Sequence, residues 1–590
     1  MIKKIILVVF FVFFGQLLAA QEYKLTFNEP QTHYVSVQMT VKNWKGGDLE
    51  VHLPVWAPGS YLVREFSKNV ESFSAHDKSG NKLNVVRNRK NAWLVNAVKG
   101  DITILYKVYA YELTVRTSFV DADHAYLNGT SIFMFVKGYM QYPCSVEIVP
   151  FSKWNTISVA LDPVLESNPW MVKADNYDDL VDAPFEIGNH KVLKFISSGV
   201  PHDVAMFGDA NYNAEKLTAD MSRVTAECAK VFGSHPCKRY LFIVHNLSSG
   251  GGGLEHKNST TLQTSRNGYG SELGYTGFLN LVAHEYFHLW NVKRLRPAAL
   301  GPFDYDNENY TNMLYVSEGF TAYYDDLITR RCGFYSNDQY LEKVASGFSY
   351  CMNQLGASIQ SLGESSFDAW IKFYRPNENS GNNSVSYYTK GAAVGAVVDM
   401  MIRNGSAGKY SLDDVMRDMY NTYSVKMNRG YSDAEFITMA SKYAQIDMND
   451  FFGKFVYGTE NMSFDSALKA VGCDIINANL NSQKTYLGVT LSSNKTTVAS
   501  VDRNSPAWFA GINVNDEIIG IDQYRFADDI SKYLNSYKSG DIIKVLVNRG
   551  GLLRSLDVKL AKSPFVEYFI SPNKKSDDVS KSNFTKWLGK

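Results

Sequence analysis

Between about residues 21 and 195, apolar and polar positions alternate. Val35, Val37, Met39 and Val41 fall on one side of an extended chain, and Ile102, Ile104, Tyr106 and Val108 repeat the pattern. A period of two predicts half-buried strands, so this stretch is read as an all-β module. From about 200 to 470 the period becomes helical. Leu412, Val415, Met416 and Met419 form one apolar stripe behind Ser411, and Ser432 with Glu435 has the spacing of a capping box. The fold class that follows is multidomain α+β, with no internal repeat.

One stretch of the helical part is apolar on all sides. Residues 278–283 lead without Gly or Pro into His284-Glu285-Tyr286-Phe287-His288, and Leu289 and Trp290 continue the run until Pro297 stops any helix. A helix apolar all round is buried, and two histidines and a glutamate are costly to bury without partners. At i and i+4 the two imidazoles share a helix face with the carboxylate between them, the layout of a catalytic zinc site. Such a site needs a third protein ligand and one position left open.

Glu318, thirty residues after His288 in the aromatic segment Ser317–Tyr324, is the leading candidate. Asp304, Asp306 and Glu308 are also near, in a polar loop where solvation is the default. The glycine run at 250–253 ends in Leu254-Glu255-His256 and lets backbone approach a substrate closely, with Gly252 and Gly253 the contact positions. Further on, Tyr387-Tyr388-Thr389-Lys390-Gly391 opens a helix of small residues. Either tyrosine hydroxyl there could reach a developing oxyanion.

These blocks, with Leu53-Pro54-Val55-Trp56-Ala57-Pro58-Gly59-Ser60-Tyr61 ahead of them, resemble the glycyl-aminopeptidase family of zinc metallopeptidases in the gluzincin group. The resemblance implies an all-β N-terminal domain (21–195), a mostly helical thermolysin-like catalytic domain (196–470) and a PDZ domain. It implies Zn2+ on His284, His288 and Glu318, and Glu285 as the base. It implies a preference for small first residues such as Gly or Ala, while similarity to the more distant aminopeptidases of the same group, which pair a glycine-run glutamate with a Tyr-x-Lys-Gly tyrosine, implies Glu255 as recogniser of the substrate's free amine and Tyr388 as oxyanion donor. The implied substrates are peptides with a free N-terminus. An endopeptidase on the same scaffold, or a non-catalytic protein that binds peptides through its PDZ domain, are the alternatives.

The segment 475–563 is similar to a PDZ domain. Tyr486-Leu487-Gly488-Val489 stands in for the carboxylate-binding loop, residues 504–522 for the helix and strand signature, and Ile530, Tyr533 and Leu534 for the groove helix. A C-terminal peptide, or the chain's own tail (564–590), is the partner expected there.

Composition narrows the remaining choices. With 60 basic and 60 acidic residues in 590, no net field argues for nucleic acid. Lys3 and Lys4 precede an apolar run from Ile5 to Leu18, and Ala19-Ala20 supplies small residues for cleavage. Residues 1–20 therefore read as a signal peptide and the protein as exported, periplasmic or secreted. No later run is long enough for a stable membrane span. Six cysteines lack CxxC spacing. Export permits disulfides, with Cys228 to Cys237 and Cys332 to Cys351 as short-range pairings.

Overall fold

The computed structural model describes residues 20–589, so the signal-peptide segment 1–19 lies outside the described residues. Within them no helix is long and apolar enough to cross a membrane. Two compact units are present, one of residues up to 55 with 65–189 and one of residues 56–64 with 190 onward.

The first unit is β-rich rather than all β, since one short helix, Tyr177–Val181, joins its strands. Its main sheet is built on the antiparallel strands Tyr34–His52 and Ala92–Tyr109, whose register sets Val41 opposite Ile102, Met39 opposite Ile104, Val37 opposite Tyr106 and Val35 opposite Val108. All eight are buried, so alternation along each strand becomes one apolar face across the pair. A second sheet joins Thr156–Val159, Phe185–Gly188, Ala125–Leu127 and Phe119–Val120.

The second unit opens on a five-stranded sheet in the order Lys191–Ser197, Val200–Phe207, Tyr240–Leu247, Ser259–Ser265, Gly252–Glu255. The glycine-run strand is therefore an edge, paired on one side only. Helices follow. The stripe behind Ser411 forms the buried face of Leu412–Met419, and Ser432 and Glu435 make a reciprocal cap, with the Ser432 amide donating to Glu435 Oε2 at 2.8 Å.

The PDZ segment packs its own core around Leu487, Val498, Ile518, Ile543 and Val545. The tail does not lie in its groove. Strand Tyr568–Pro572 pairs antiparallel with Cys473–Asn477, and helix Asp578–Leu588 buries Trp587 completely, with Trp587 Nε1–H donating to Tyr323 Oη at 2.9 Å. A tail committed in this way cannot also serve as the groove's ligand, because its strand edge and its anchor are already occupied.

All six cysteines are free thiols. Neither short-range pairing forms, because the sulfurs face different partners: Cys228 donates to Ala283 O, Cys332 to Arg223 O and Cys351 to Thr389 O, while Cys237 lies 3.7 Å from His235 Nδ1.

Candidate active site

The motif helix, Glu272–Phe287, starts where the Ser271 hydroxyl accepts the Gly274 N–H at 3.1 Å. It does not continue toward Pro297. It ends at Phe287 with His288 as its cap, because the chain turns to place Asn291 under the site. His288 Nδ1–H donates to Asn291 O at 2.7 Å. The buried Asn291 amide donates to Val316 O and Thr321 Oγ1 at 2.9 and 3.1 Å. His284 Nδ1–H donates to Asp325 Oδ2 at 2.7 Å. With both Nδ1 positions donating, each Nε2 presents a lone pair toward one point.

Glu318 stands at that point. It lies in a π-turn, Tyr315–Phe320, and its Oε2 is 3.3 Å from His288 Nε2 and 3.6 Å from His284 Nε2. Two ligands held tetrahedrally at about 2.0–2.1 Å from a zinc ion stand about 3.3 Å apart, so the donor set fits a metal of that kind. The ligand atoms of His284, His288 and Glu318 all lie within 4.8 Å of one another. Glycine makes the approach possible. A Cβ on Gly319 would sit 2.5 Å from Gly391 Cα, so the Glu318 turn and the first turn of helix Thr389–Gly405 touch backbone to backbone.

The electrostatics ask for a cation. Burial opposes charge on His284, yet Asp325 and Glu318 hold its imidazole pKa well above the ordinary value; at His288, too, Glu318 outweighs burial and raises the pKa. Burial raises the Glu318 carboxyl, but the two imidazoles outweigh it and hold the group far below the usual carboxylate range. Either protons or a dication can satisfy this cluster.

Glu285 is buried with Oε2 unpartnered, and burial pushes its pKa up to about 7 against the pull of both histidines. The glycine strand runs directly over it: a Cβ on Gly253 would be 2.3 Å from Glu285 Oε1, and Gly252 takes φ +108° beside it. Two residues on, buried Glu255 forms a second close group with Glu285 and His288, again within 4.8 Å. Gly59 presses on Glu255 from the other side, at φ +84° and with room for no Cβ, since one would lie 2.6 Å from Glu255 Oε1.

Of the two tyrosines, Tyr388 faces the site. Its ring lies 6.3 Å from the His284 ring and is partly exposed, whereas Tyr387 is fully buried; both rings pack on Phe373. Asp304 is turned into its own loop, its Oδ1 accepting the Asp306 and Asn307 amides. Asp325 and Asn291 were absent from the sequence reading. Asp325 had a faint signal, seven residues or two helical turns after Glu318. Asn291 had none, because it acts mainly through a backbone carbonyl.

The N-terminal domain model of peptidase M61 matches residues 22–189, the M61 glycyl aminopeptidase model residues 277–394, and a PDZ model residues 485–560. The crystal structure of an aminopeptidase N family protein from Idiomarina loihiensis is 31% identical, over 97% of this chain and 100% of that one, with TM-score 0.88. An M1 zinc metallopeptidase from Deinococcus radiodurans, 11% identical over 72% and 90% of the two chains, scores 0.45. Native yeast LTA4 hydrolase, 12% identical over 76% and 69%, scores 0.44. No curated protein sequence matches the chain.

Proposed function

The chain belongs to the M61 glycyl aminopeptidase family of zinc metallopeptidases, and from that premise we propose that it releases the first residue, Gly or Ala by preference, from peptides with a free amine. The observation that carries this reading is the pair of adjoining clusters, His284, His288 and Glu318 beside Glu255, Glu285 and His288. An anion that can hold an ammonium stands about one residue's length from the metal ligands.

A Zn2+ ion held by His284, His288 and Glu318 would supply Lewis acidity to the scissile carbonyl and to a water molecule. Glu285 takes the proton of the attacking water and returns it to the leaving amine, a task suited to a buried carboxyl whose pKa is about 7 before any cation lowers it. The Tyr388 hydroxyl donates to the developing oxyanion. Glu255 pairs with the N-terminal ammonium and registers the first peptide bond over the ligands, while the free edge of Gly252–Glu255 pairs with substrate backbone. Gly59 and Tyr61 line a void of about 20 Å³ beside Glu255, and we take it as the seat of the first side chain. A void that size suits Gly or Ala.

The test is a panel of Gly, Ala, Leu and Lys anilides, free and N-acetylated, with wild type, Glu285→Gln and Glu255→Ala. Turnover of Gly and Ala substrates that needs a free amine, Glu285 and a chelatable metal is expected. Efficient cleavage of acetylated substrates would favour the endopeptidase alternative. We also propose export, from the basic and apolar leader at residues 3–20. N-terminal sequencing of the mature protein checks it, and a retained Met1 overturns it.

A further inference from the structure

A cavity of about 670 Å³ opens beside the metal ligands, and neither the catalytic reading nor the family match assigns it. It adjoins the His284 side of the site. Its wall includes Asp325, whose carboxylate holds His284 Nδ1, and Asn280, one helical turn before His284. Tyr388, whose ring faces His284, completes this side. Glu255 is grouped with His288 and Glu285, and the small void around it shares no residue with the cavity.

A peptide has a fixed direction. A peptide with its ammonium at Glu255 and its first carbonyl between the ligands and Tyr388 would carry its later residues past Tyr388, which lines this space. The two spaces are unequal: the void that Glu255 lines measures about 20 Å³ and the cavity that Tyr388 lines about 670 Å³. The second volume is in the range of sites that bury a small ligand, more than one side chain needs.

The lining states what fits. Ala322, Ala392, Ala396, Tyr340 and Phe348 make an apolar floor. Leu273 stands at the wall 86% exposed, an aliphatic side chain left in water on the motif helix. Charge on the wall disfavours acidic groups. Asp325, Asp326 and Glu342 line the space, and the lining cation Lys343 is already paired with Asp326 at 3.1 Å.

Resting on the aminopeptidase reading above, we infer that this cavity seats the residues following the scissile bond. It selects peptides whose second residue is large and uncharged and rejects those whose second residue is acidic. The protein would then work on peptides of three or more residues, with the small first residue read at Glu255 and the bulk of the binding made downstream.

Gly347 allows a clean test. It lines the cavity on helix Asn337–Asn353, and an added Cβ meets nothing within 4 Å, so larger residues grow into the space without a clash. The zinc-loaded full chain and its Gly347→Leu and Gly347→Trp variants are compared on alaninamide, Ala-Phe-Ala and Ala-Asp-Ala. Wild type is expected to favour Ala-Phe-Ala over Ala-Asp-Ala at least tenfold in kcat/KM. Gly347→Trp is expected to lower kcat/KM for Ala-Phe-Ala at least tenfold more than for alaninamide, with Gly347→Leu between. Parallel losses on both substrates, or no change, overturn the inference. A second readout needs no turnover. Calorimetric binding of the product Phe-Ala to zinc-loaded Glu285→Gln should weaken at least tenfold when Gly347→Trp is added, and equal affinities overturn the assignment. Should Glu285→Gln stay active, the proposed base fails while this binding comparison still reads the cavity.

Discussion

His284 Nδ1 lies 2.7 Å from Asp325 Oδ2, and the two groups sit on different helices, Glu272–Phe287 and Thr321–Arg331. The contact fixes the tautomer that leaves Nε2 free for a metal. Asp325→Ala is therefore expected to weaken zinc affinity about 10–100-fold, as removal of an outer-shell partner usually does. Competition titration against a chromophoric chelator measures it. Unchanged affinity would mean that the ring is held by its packing alone.

In the mechanism proposed above, Glu285 carries the proton and takes no part in binding the metal. Glu285→Gln should lower kcat/KM by about 10²–10⁴ while zinc content stays at one per chain. Mass spectrometry of the native protein beside initial rates separates the two effects. Joint loss of metal and activity would contradict the assignment.

Gly59 is needed for its lack of a side chain. Gly59→Ala sets a Cβ 2.6 Å from Glu255 Oε1 at a φ of +84° and should displace the amine anchor. The loss in kcat/KM on free-amine substrates is expected to approach that of Glu255→Ala, about 10–100-fold for a charge-assisted contact of about 1.5–3 kcal/mol. Wild-type rates in both variants would remove Glu255 from amine recognition.

Behind the motif helix, Tyr286 bridges two imidazoles: its hydroxyl is 2.7 Å from His202 Nε2 and 2.6 Å from His235 Nε2, with Tyr240 and Cys237 around them. Burial, helped by His235, lowers the His202 pKa to about 4 against an ordinary 6.5, despite the Val200 carbonyl. The fold thus favours the neutral ring. Its contribution is complete above pH 6.5 and is lost as pH falls toward 4, up to about 3 kcal/mol. Urea midpoints at pH 7 and pH 5 should differ more for wild type than for His202→Phe, which keeps the stack on Phe195 but cannot titrate.

Trp587 anchors the tail to the helix that follows Glu318. Its indole N–H reaches Tyr323 Oη, which in turn donates to Asp399 Oδ2 at 2.6 Å, beside the Arg403 pair. Trp587→Ala should cost about 3–5 kcal/mol of stability, the usual range for emptying a buried tryptophan site. Chemical denaturation monitored by circular dichroism reads it. A loss below about 1 kcal/mol would show the tail to be dispensable.

The β alternation of residues 35–41 and 102–108, the stripe at 412–419 and the helix holding His284 and His288 are local patterns, so a single stretch of chain displays them. The course of the chain after Phe287 was misread as helix, because residues 288–296 are apolar and basic without a breaker until Pro297. A long-range demand prevails there, since Asn291 must reach Val316 and Thr321. The disulfide pairings and the tail's place in the PDZ groove were plausible by separation along the chain. Each was decided instead by which surface lay opposite.

By itself the sequence determined which residue types were available for chemistry and which local elements bore them, because periodicity and ligand spacing are properties of neighbouring residues. Tertiary structure decided how those elements meet. The backbone contact of Gly319 with Gly391, the pressure of Gly59 on Glu255 and the hold of Asp325 on His284 each join positions far apart in the chain. Such contacts depend on packing in three dimensions, which no one-dimensional pattern records.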